Sequence, residues 1–121
     1  MKTFVTKQFR FEAAHSLSHH DGKCKNLHGH SYLLEVTISG DIQTSGSKEG
    51  MVIDFGDLSS MVEEHIISKW DHQYLNDIVP FVTTAENLAG ECFKVLTSVG
   101  LSVEKIKLWE TSKAFVEVVR G

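Results

Sequence analysis

Several things are scarce in this sequence. Its 121 residues include one proline and two cysteines. Two cysteines are too few for a disulfide framework. Met1–Gln8 holds no apolar stretch of the signal-peptide kind, so the expected compartment is the reducing cytoplasm. No apolar run approaches the length of a membrane span. Lysine and arginine never gather into a block, and the formal charge of −4 is mild and spread out. Neither nucleic acid nor an anionic membrane is therefore expected as the main partner, since both call for a basic footprint. Low-complexity runs, internal repeats and linkers are also missing, which leaves one folded domain, residues 1–121, with a modest core.

What is present is clear alternation. Over residues 3–15, Phe9, Phe11, Ala13 and His15 alternate with Gln8, Arg10, Glu12 and Ala14, the period of a half-buried strand. A polar loop with Asp21-Gly22 as its turn signal leads to a second, long strand from His28. A helix capped at Asp54 or Asp57 follows and runs to about residue 69, with Leu58, Met61, Val62, Ile66 and Trp70 as its inner stripe. Thr83 to Glu86 has capping-box spacing and opens a second helix, which reaches about residue 99 before Gly100 stops it. Residues 103–110 and 115–120 read as two more strands. The order ββααββ predicts an α+β domain, an antiparallel sheet with both helices on one face. Neither edge strand carries a proline to block pairing with another chain.

The stretch Cys24-Lys-Asn-Leu-His28-Gly-His30 organises the chemistry. Two histidines one residue apart share a face of a strand. If the first two strands pair, His15 joins them and three imidazoles converge. Three protein nitrogens leave the fourth position of a tetrahedral zinc open, the pattern of a catalytic site. The plain alternative is a set of solvated loop histidines, the reading preferred for His19 and His20. Cys24 is near enough to His28 to serve as ligand or as base, and Lys23 and Lys25 beside it favour a thiolate. Cys92, within a helical pattern, reads as a small core residue.

Two acidic positions remain. Asp71 directly precedes His72, a carboxylate and a proton carrier that could cooperate only across a turn, because adjacent side chains on a strand point apart. Glu110 ends the apolar stripe of Ile106 and Leu108, where a carboxylate needs a partner. An internal salt bridge would satisfy it. So would a ligand with paired N–H donors, such as the edge of a pterin or guanine ring. Spacing alone does not choose between them.

Taken together, Phe-x-Phe-x-Ala-Ala-His15, Cys24-x-x-x-His28-Gly-His30, Val52-Ile-Asp-Phe55, Leu58, Trp70-Asp71-His72-x-x-Leu75-Asn76, Thr84-x-Glu86-Asn87 and Glu110 resemble the 6-pyruvoyl-tetrahydropterin synthase family over nearly the whole chain. The resemblance implies a tunnelling fold (T-fold) and a homohexamer built as a dimer of trimers, with active sites between subunits. It implies zinc on His15, His28 and His30, and a catalytic set of Cys24, Asp71 and His72. Glu110 is the implied anchor of the pterin ring, with Thr84 and Glu86 at the ring end of the site. Two positions depart from the family pattern: Thr83 stands where proline is frequent, and Ala85 where serine is.

Within the family, the short gap from Cys24 to His28 resembles the 6-carboxytetrahydropterin synthases of the queuosine (7-deazaguanine) pathway. The implied reaction is a zinc-dependent carbon–carbon lyase step on 7,8-dihydroneopterin triphosphate that releases acetaldehyde and triphosphate. Lys23, Lys25 and His19 are candidates for the phosphates. The alternatives are a 6-pyruvoyl-tetrahydropterin synthase, which eliminates triphosphate without cutting the side-chain carbon bond, and a zinc- or pterin-binding module without turnover.

Overall fold

The computed structural model describes residues 1–121. Two long strands, β1 (Thr3–His15) and β2 (His28–Gly40), pair antiparallel along their whole length, as their alternation predicts. The register sets Phe9 opposite Leu34, Phe11 opposite Tyr32, Ala13 opposite His30 and His15 opposite His28. All of these lie on one face, because side chains alternate along a strand. The buried stripe of the sheet therefore runs straight into the three histidines.

The chain then forms one continuous helix in three parts: α1 (Phe55–Val62), a π-helical turn (Glu63–Ile67) and α2 (Ser68–Trp70). Asp54 caps it, its Oδ1 accepting from the N–H groups of Gly56 and Asp57. Leu58, Val62, Ile66 and Trp70 are buried at steps of four residues. In an α-helix each such step overshoots a full turn by about 40°. The wider turn with its i→i+5 bonding absorbs that drift and turns Ile67 inward as well. Met61, expected in the stripe, is half-buried at its border.

After α2 the structure adds an element absent from the expected order. β3 (Gln73–Tyr74) pairs parallel with Ala13 and Ala14 of β1, so the sheet is mixed, not purely antiparallel. A two-residue strand is too short to show a period. A 3-10 turn (Leu75–Asp77) leads towards α3 (Ala85–Ser98). The cap of α3 is Thr84, whose hydroxyl accepts from Asn87 N–H, and not Thr83. The Thr83–Glu86 capping box is thus displaced by one residue, and Thr83 turns inward, fully buried. Two further strands, β4 (Val103–Thr111) and β5 (Ala114–Val119), complete a five-stranded sheet in the order β3-β1-β2-β4-β5.

Both helices cover the same face of the sheet. Leu88, Ala89, Cys92 and Leu96 of α3 and the stripe of the first helix meet Leu34, Val36, Ile106 and Leu108 in one apolar cluster. Leu34 and Leu108 pair across β2 and β4 and are fully buried; truncating either to alanine should cost about 2–5 kcal/mol. Phe11 stacks on Tyr32 at 4.8 Å and meets Trp70 edge-on at 5.9 Å. These three rings floor the site above them. No helix is long and apolar enough to cross a membrane.

Candidate metal centre and its surroundings

His15, His28 and His30 each offer a ring nitrogen, and the three nitrogens lie within 4.8 Å of one another. The register explains the grouping: His15 and His28 are cross-strand partners, and His30 is two residues on, opposite the small Ala13. Two of the rings are oriented from behind. Nδ1 of His15 lies 2.7 Å from the Thr83 carbonyl, and Nδ1 of His28 lies 2.7 Å from the Asn26 carbonyl. A carbonyl oxygen can only accept, so each Nδ1 carries the proton and each Nε2 keeps its lone pair. Nε2 of His15 and Nε2 of His30 are buried and have no hydrogen-bond partner. Buried nitrogens left unpaired in one small space, with main-chain carbonyls fixing the tautomers of His15 and His28, suit a divalent metal. The donor set of three neutral imidazoles suits zinc with one position left open.

Cys24 is not part of this group. It sits half-buried in a 3-10 turn, Lys23–Lys25, whose backbone is tied down by the Leu17 N–H donating to the Cys24 carbonyl. His19 and His20 are exposed in the same loop, as the plain reading of them holds.

Glu110 continues the inward face of β4 beyond Leu108 and reaches His30, with Oε1 3.5 Å from Nε2. His30 is its only ion-pair partner; no lysine or arginine neutralises it. Burial holds the His30 imidazole below its ordinary value; Glu110 opposes that, and His15 and His28 add to it. Tyr32, just beneath, is pushed upward by burial first and by Glu110 second, so its phenol stays neutral. Its hydroxyl is buried and unpartnered.

Asp71 and His72 do meet, and the backbone shows how. Asp71 ends the helix in an extended conformation, and His72 is the one non-glycine residue with positive φ, at 61°. That left-handed turn, uncommon outside glycine, brings His72 Nδ1 to 3.0 Å from Asp71 Oδ2. Asp71 Oδ1 accepts from the Glu12 N–H at 2.9 Å, and the His72 N–H donates to the Glu12 carbonyl at 2.6 Å. The Glu12 bond, and then His72, hold the Asp71 carboxyl below its usual range. The pair is thus pinned to the edge of β1, three residues before His15. His72 itself is exposed.

Two open cavities border the histidines. One, about 490 Å³, is lined by Glu12, Ser31, His72 and Tyr74 among others, and the other, about 550 Å³, by Arg10, Leu33, Trp109 and Glu110 among others; both include Gly29 and His30. Most of these residues lie on the sheet face opposite the helices, so the cavities approach the three histidines from behind. Cys24, Thr84 and Glu86 line neither. Thr84 is spent on the helix cap and Glu86 is exposed in the first turn of α3. Of Cys24, Asp71 and His72, only His72 joins His30 in lining these two cavities. The orienting carbonyls of Asn26 and Thr83 carry no signal of residue type and could not be read from the sequence.

Comparison with known proteins agrees with this geometry. Residues 4–120 match the family described as 6-pyruvoyl tetrahydropterin synthase. The chain is 43% identical to a 6-carboxy-5,6,7,8-tetrahydropterin synthase of Haemophilus influenzae, over 93% of this chain and 96% of that one. It is 39% identical to a protein of the same name from Synechocystis, over 88% and 85%. Its fold is similar to that of a Caenorhabditis elegans 6-pyruvoyl tetrahydropterin synthase, with a TM-score of 0.86 at 28% identity, covering 100% of this chain and 97% of that one. A Plasmodium falciparum 6-pyruvoyl tetrahydropterin synthase shares the fold at a TM-score of 0.78 and 18% identity, covering 98% of each chain. With its T-fold sheet, its two covering helices and a match from residue 4 to residue 120, the chain belongs to the 6-pyruvoyl tetrahydropterin synthase family and is an enzyme of the lyase class.

Proposed function

We propose that this enzyme converts 7,8-dihydroneopterin triphosphate to 6-carboxy-5,6,7,8-tetrahydropterin, releasing acetaldehyde and triphosphate, as a zinc-dependent step of queuosine (7-deazaguanine) synthesis. The observation that carries the reading is the histidine cluster: unpaired Nε2 atoms gathered beside Glu110 in a chain 43% identical to a protein named for that product.

His15, His28 and His30 hold the metal through neutral imidazoles. Zinc held there would supply Lewis-acid stabilisation of the negative charge that develops on the substrate. Glu110 accepts paired N–H bonds from the pterin ring, which its lack of a lysine or arginine partner leaves it free to do. So anchored, the ring keeps its reacting carbon beside the base. Cys24, as thiolate, takes the proton from the carbon bearing the first hydroxyl, and that proton returns to the ring. His72, held by Asp71, moves the proton of the neighbouring hydroxyl as the carbon–carbon bond breaks, and a water molecule supplies the second oxygen of the carboxylate. Thr84 and Glu86 are assigned to the ring end of the site, and Lys23, Lys25 and His19 to the phosphates.

The assembly is a homohexamer, a dimer of trimers with each site between subunits. Support comes from the free outer edge of β5, where Phe115 and Val119 are exposed. The two unpaired cysteines suit the cytoplasm.

Incubation with 7,8-dihydroneopterin triphosphate and mass analysis of every product tests the reading. Acetaldehyde and 6-carboxytetrahydropterin are expected. Formation of 6-pyruvoyl-tetrahydropterin without acetaldehyde would assign the enzyme to the pyruvoyl-forming branch.

A further inference from the structure

Beside His15 lies a polar network with no part in the chemistry above. Asn76 sits in the 3-10 turn Leu75–Asp77. Its Oδ1 accepts the backbone N–H of Ser16 at 3.0 Å, and its Nδ2 donates to the Ser16 carbonyl at 2.8 Å. A single side-chain amide thus satisfies both backbone groups of the residue after His15, as a neighbouring strand would, at the point where β1 ends. The same Oδ1 accepts from Thr83 Oγ1 at 3.2 Å. Thr83 is fully buried, and its carbonyl takes the Nδ1–H of His15 at 2.7 Å. Asn76 therefore grips the residue that follows the ligand and, through a hydroxyl, the residue that orients the ligand's ring. Ser16 is held once more by its own hydroxyl, 2.7 Å from Tyr74 Oη.

We propose that Asn76 is a positioning residue for the metal ligand His15, holding Ser16 and Thr83 so that the ring presents Nε2 to the metal. The backbone of a strand end frays unless something pairs with it, and an imidazole on a frayed end loses both its place and its angle. The amide supplies the place through Ser16, and Thr83 supplies the angle. The inference rests on the zinc reading and has its own test. A clamp that merely closes the turn after Leu75 would lower stability without altering how the folded protein holds metal. A clamp that positions His15 would alter both.

The test compares the wild-type protein with Asn76→Ala, Thr83→Val and Thr83→Ser. Zinc affinity is measured by competition with a chromophoric chelator, and ligand geometry by the visible absorption of the cobalt-loaded protein. Both are read at a temperature where circular dichroism shows the proteins folded. Asn76→Ala should bind zinc roughly tenfold or more weakly, the scale of outer-shell effects on a metal, and its cobalt bands should shift. Thr83→Val keeps the carbonyl and loses the hydroxyl, so it should fall between Asn76→Ala and wild type; Thr83→Ser should restore wild-type values. Wild-type affinity and unchanged cobalt bands in folded Asn76→Ala overturn the proposal, even where its unfolding temperature has dropped. Should Asn76→Ala fail to fold, the Thr83 pair decides: affinity and bands in Thr83→Val equal to those of wild type overturn it. A wild-type protein that takes up neither metal overturns the zinc reading and this proposal with it.

Discussion

The carboxylate of Asp71 lies 3.0 Å from Nδ1 of His72, although the two residues are neighbours in the chain. Only a reversal of the backbone between them allows that contact, and His72 makes it at φ 61°. The other oxygen of Asp71 is fixed by the Glu12 N–H, so the carboxylate is held at both ends. Asp71→Asn keeps the shape and removes the charge beside His72. Turnover should fall by roughly ten- to a hundredfold, the range for a disturbed proton carrier, while zinc content and pterin affinity stay at wild-type levels. Loss of zinc from this variant would show that Asp71 supports the metal instead.

Replacing any one of His15, His28 or His30 by alanine should lower zinc content and activity together, from about one zinc per chain. The domain should stay folded, because a cluster of 22 buried apolar residues packs without a metal staple. Metal analysis after dialysis reads the result. Full zinc occupancy in His28→Ala would remove the assignment.

Loss of the base and loss of the anchor should look different. In Cys24→Ala substrate still binds, and turnover drops by roughly a hundredfold or more. In Glu110→Ala affinity for pterins falls together with the rate, since ring recognition is lost. Steady-state kinetics and pterin titration separate the two. If Cys24→Ala abolished zinc binding, the cysteine would be a ligand and could not serve as the base.

The metal-free protein should be weakest on the acid side. Burial makes His30 harder to protonate when folded, whereas the unfolded chain protonates it near the ordinary histidine value of about 6.5. Below that value the unfolded state binds more protons, so stability falls as pH falls through it and is flat above it. The unfolding temperature of metal-free wild type should be level at neutral pH and decline towards about pH 5.5, and His30→Gln should flatten that decline. An equal decline in both proteins would clear His30 of the effect.

A site shared between chains can be tested with two inactive proteins. Cys24→Ala and His72→Ala, mixed through dissociation and reassembly, would place an intact Cys24 against an intact His72 at some interfaces, and partial activity should return. Mixed oligomers confirmed by mass that stay inactive would put both residues of each site on one chain.

The sequence announced the histidine cluster because alternation is a strong signal over thirteen-residue strands, and β1 and β2 fall where it places them. It announced Asp71 and His72 as a pair that needs a turn, but not that His72 makes it at positive φ, which histidine adopts only occasionally. The displaced cap at Thr84 was ambiguous: two adjacent threonines can both cap, and the choice falls to whichever is not buried. β3 is set by its docking against β1, not by any pattern of its own. Nor does the sequence tell that His15 and His28 are steered by main-chain carbonyls, which every residue possesses.

The π turn at Glu63–Ile67 makes the first helix a measuring device. It feeds directly into Trp70, Asp71 and His72, so the number of residues between Asp54 and Asp71 sets the direction in which the Asp71–His72 pair leaves the core. One residue more or fewer would advance the exit by about 1.5 Å and rotate it by about 100°, carrying Asp71 away from the Glu12 N–H that receives it. The 41–50 connection, which carries no residue assigned to the site, can change length with little consequence; this helix cannot. Insertions and deletions should be tolerated in the 41–50 connection and refused between residues 55 and 70, however well the new residue suits a helix.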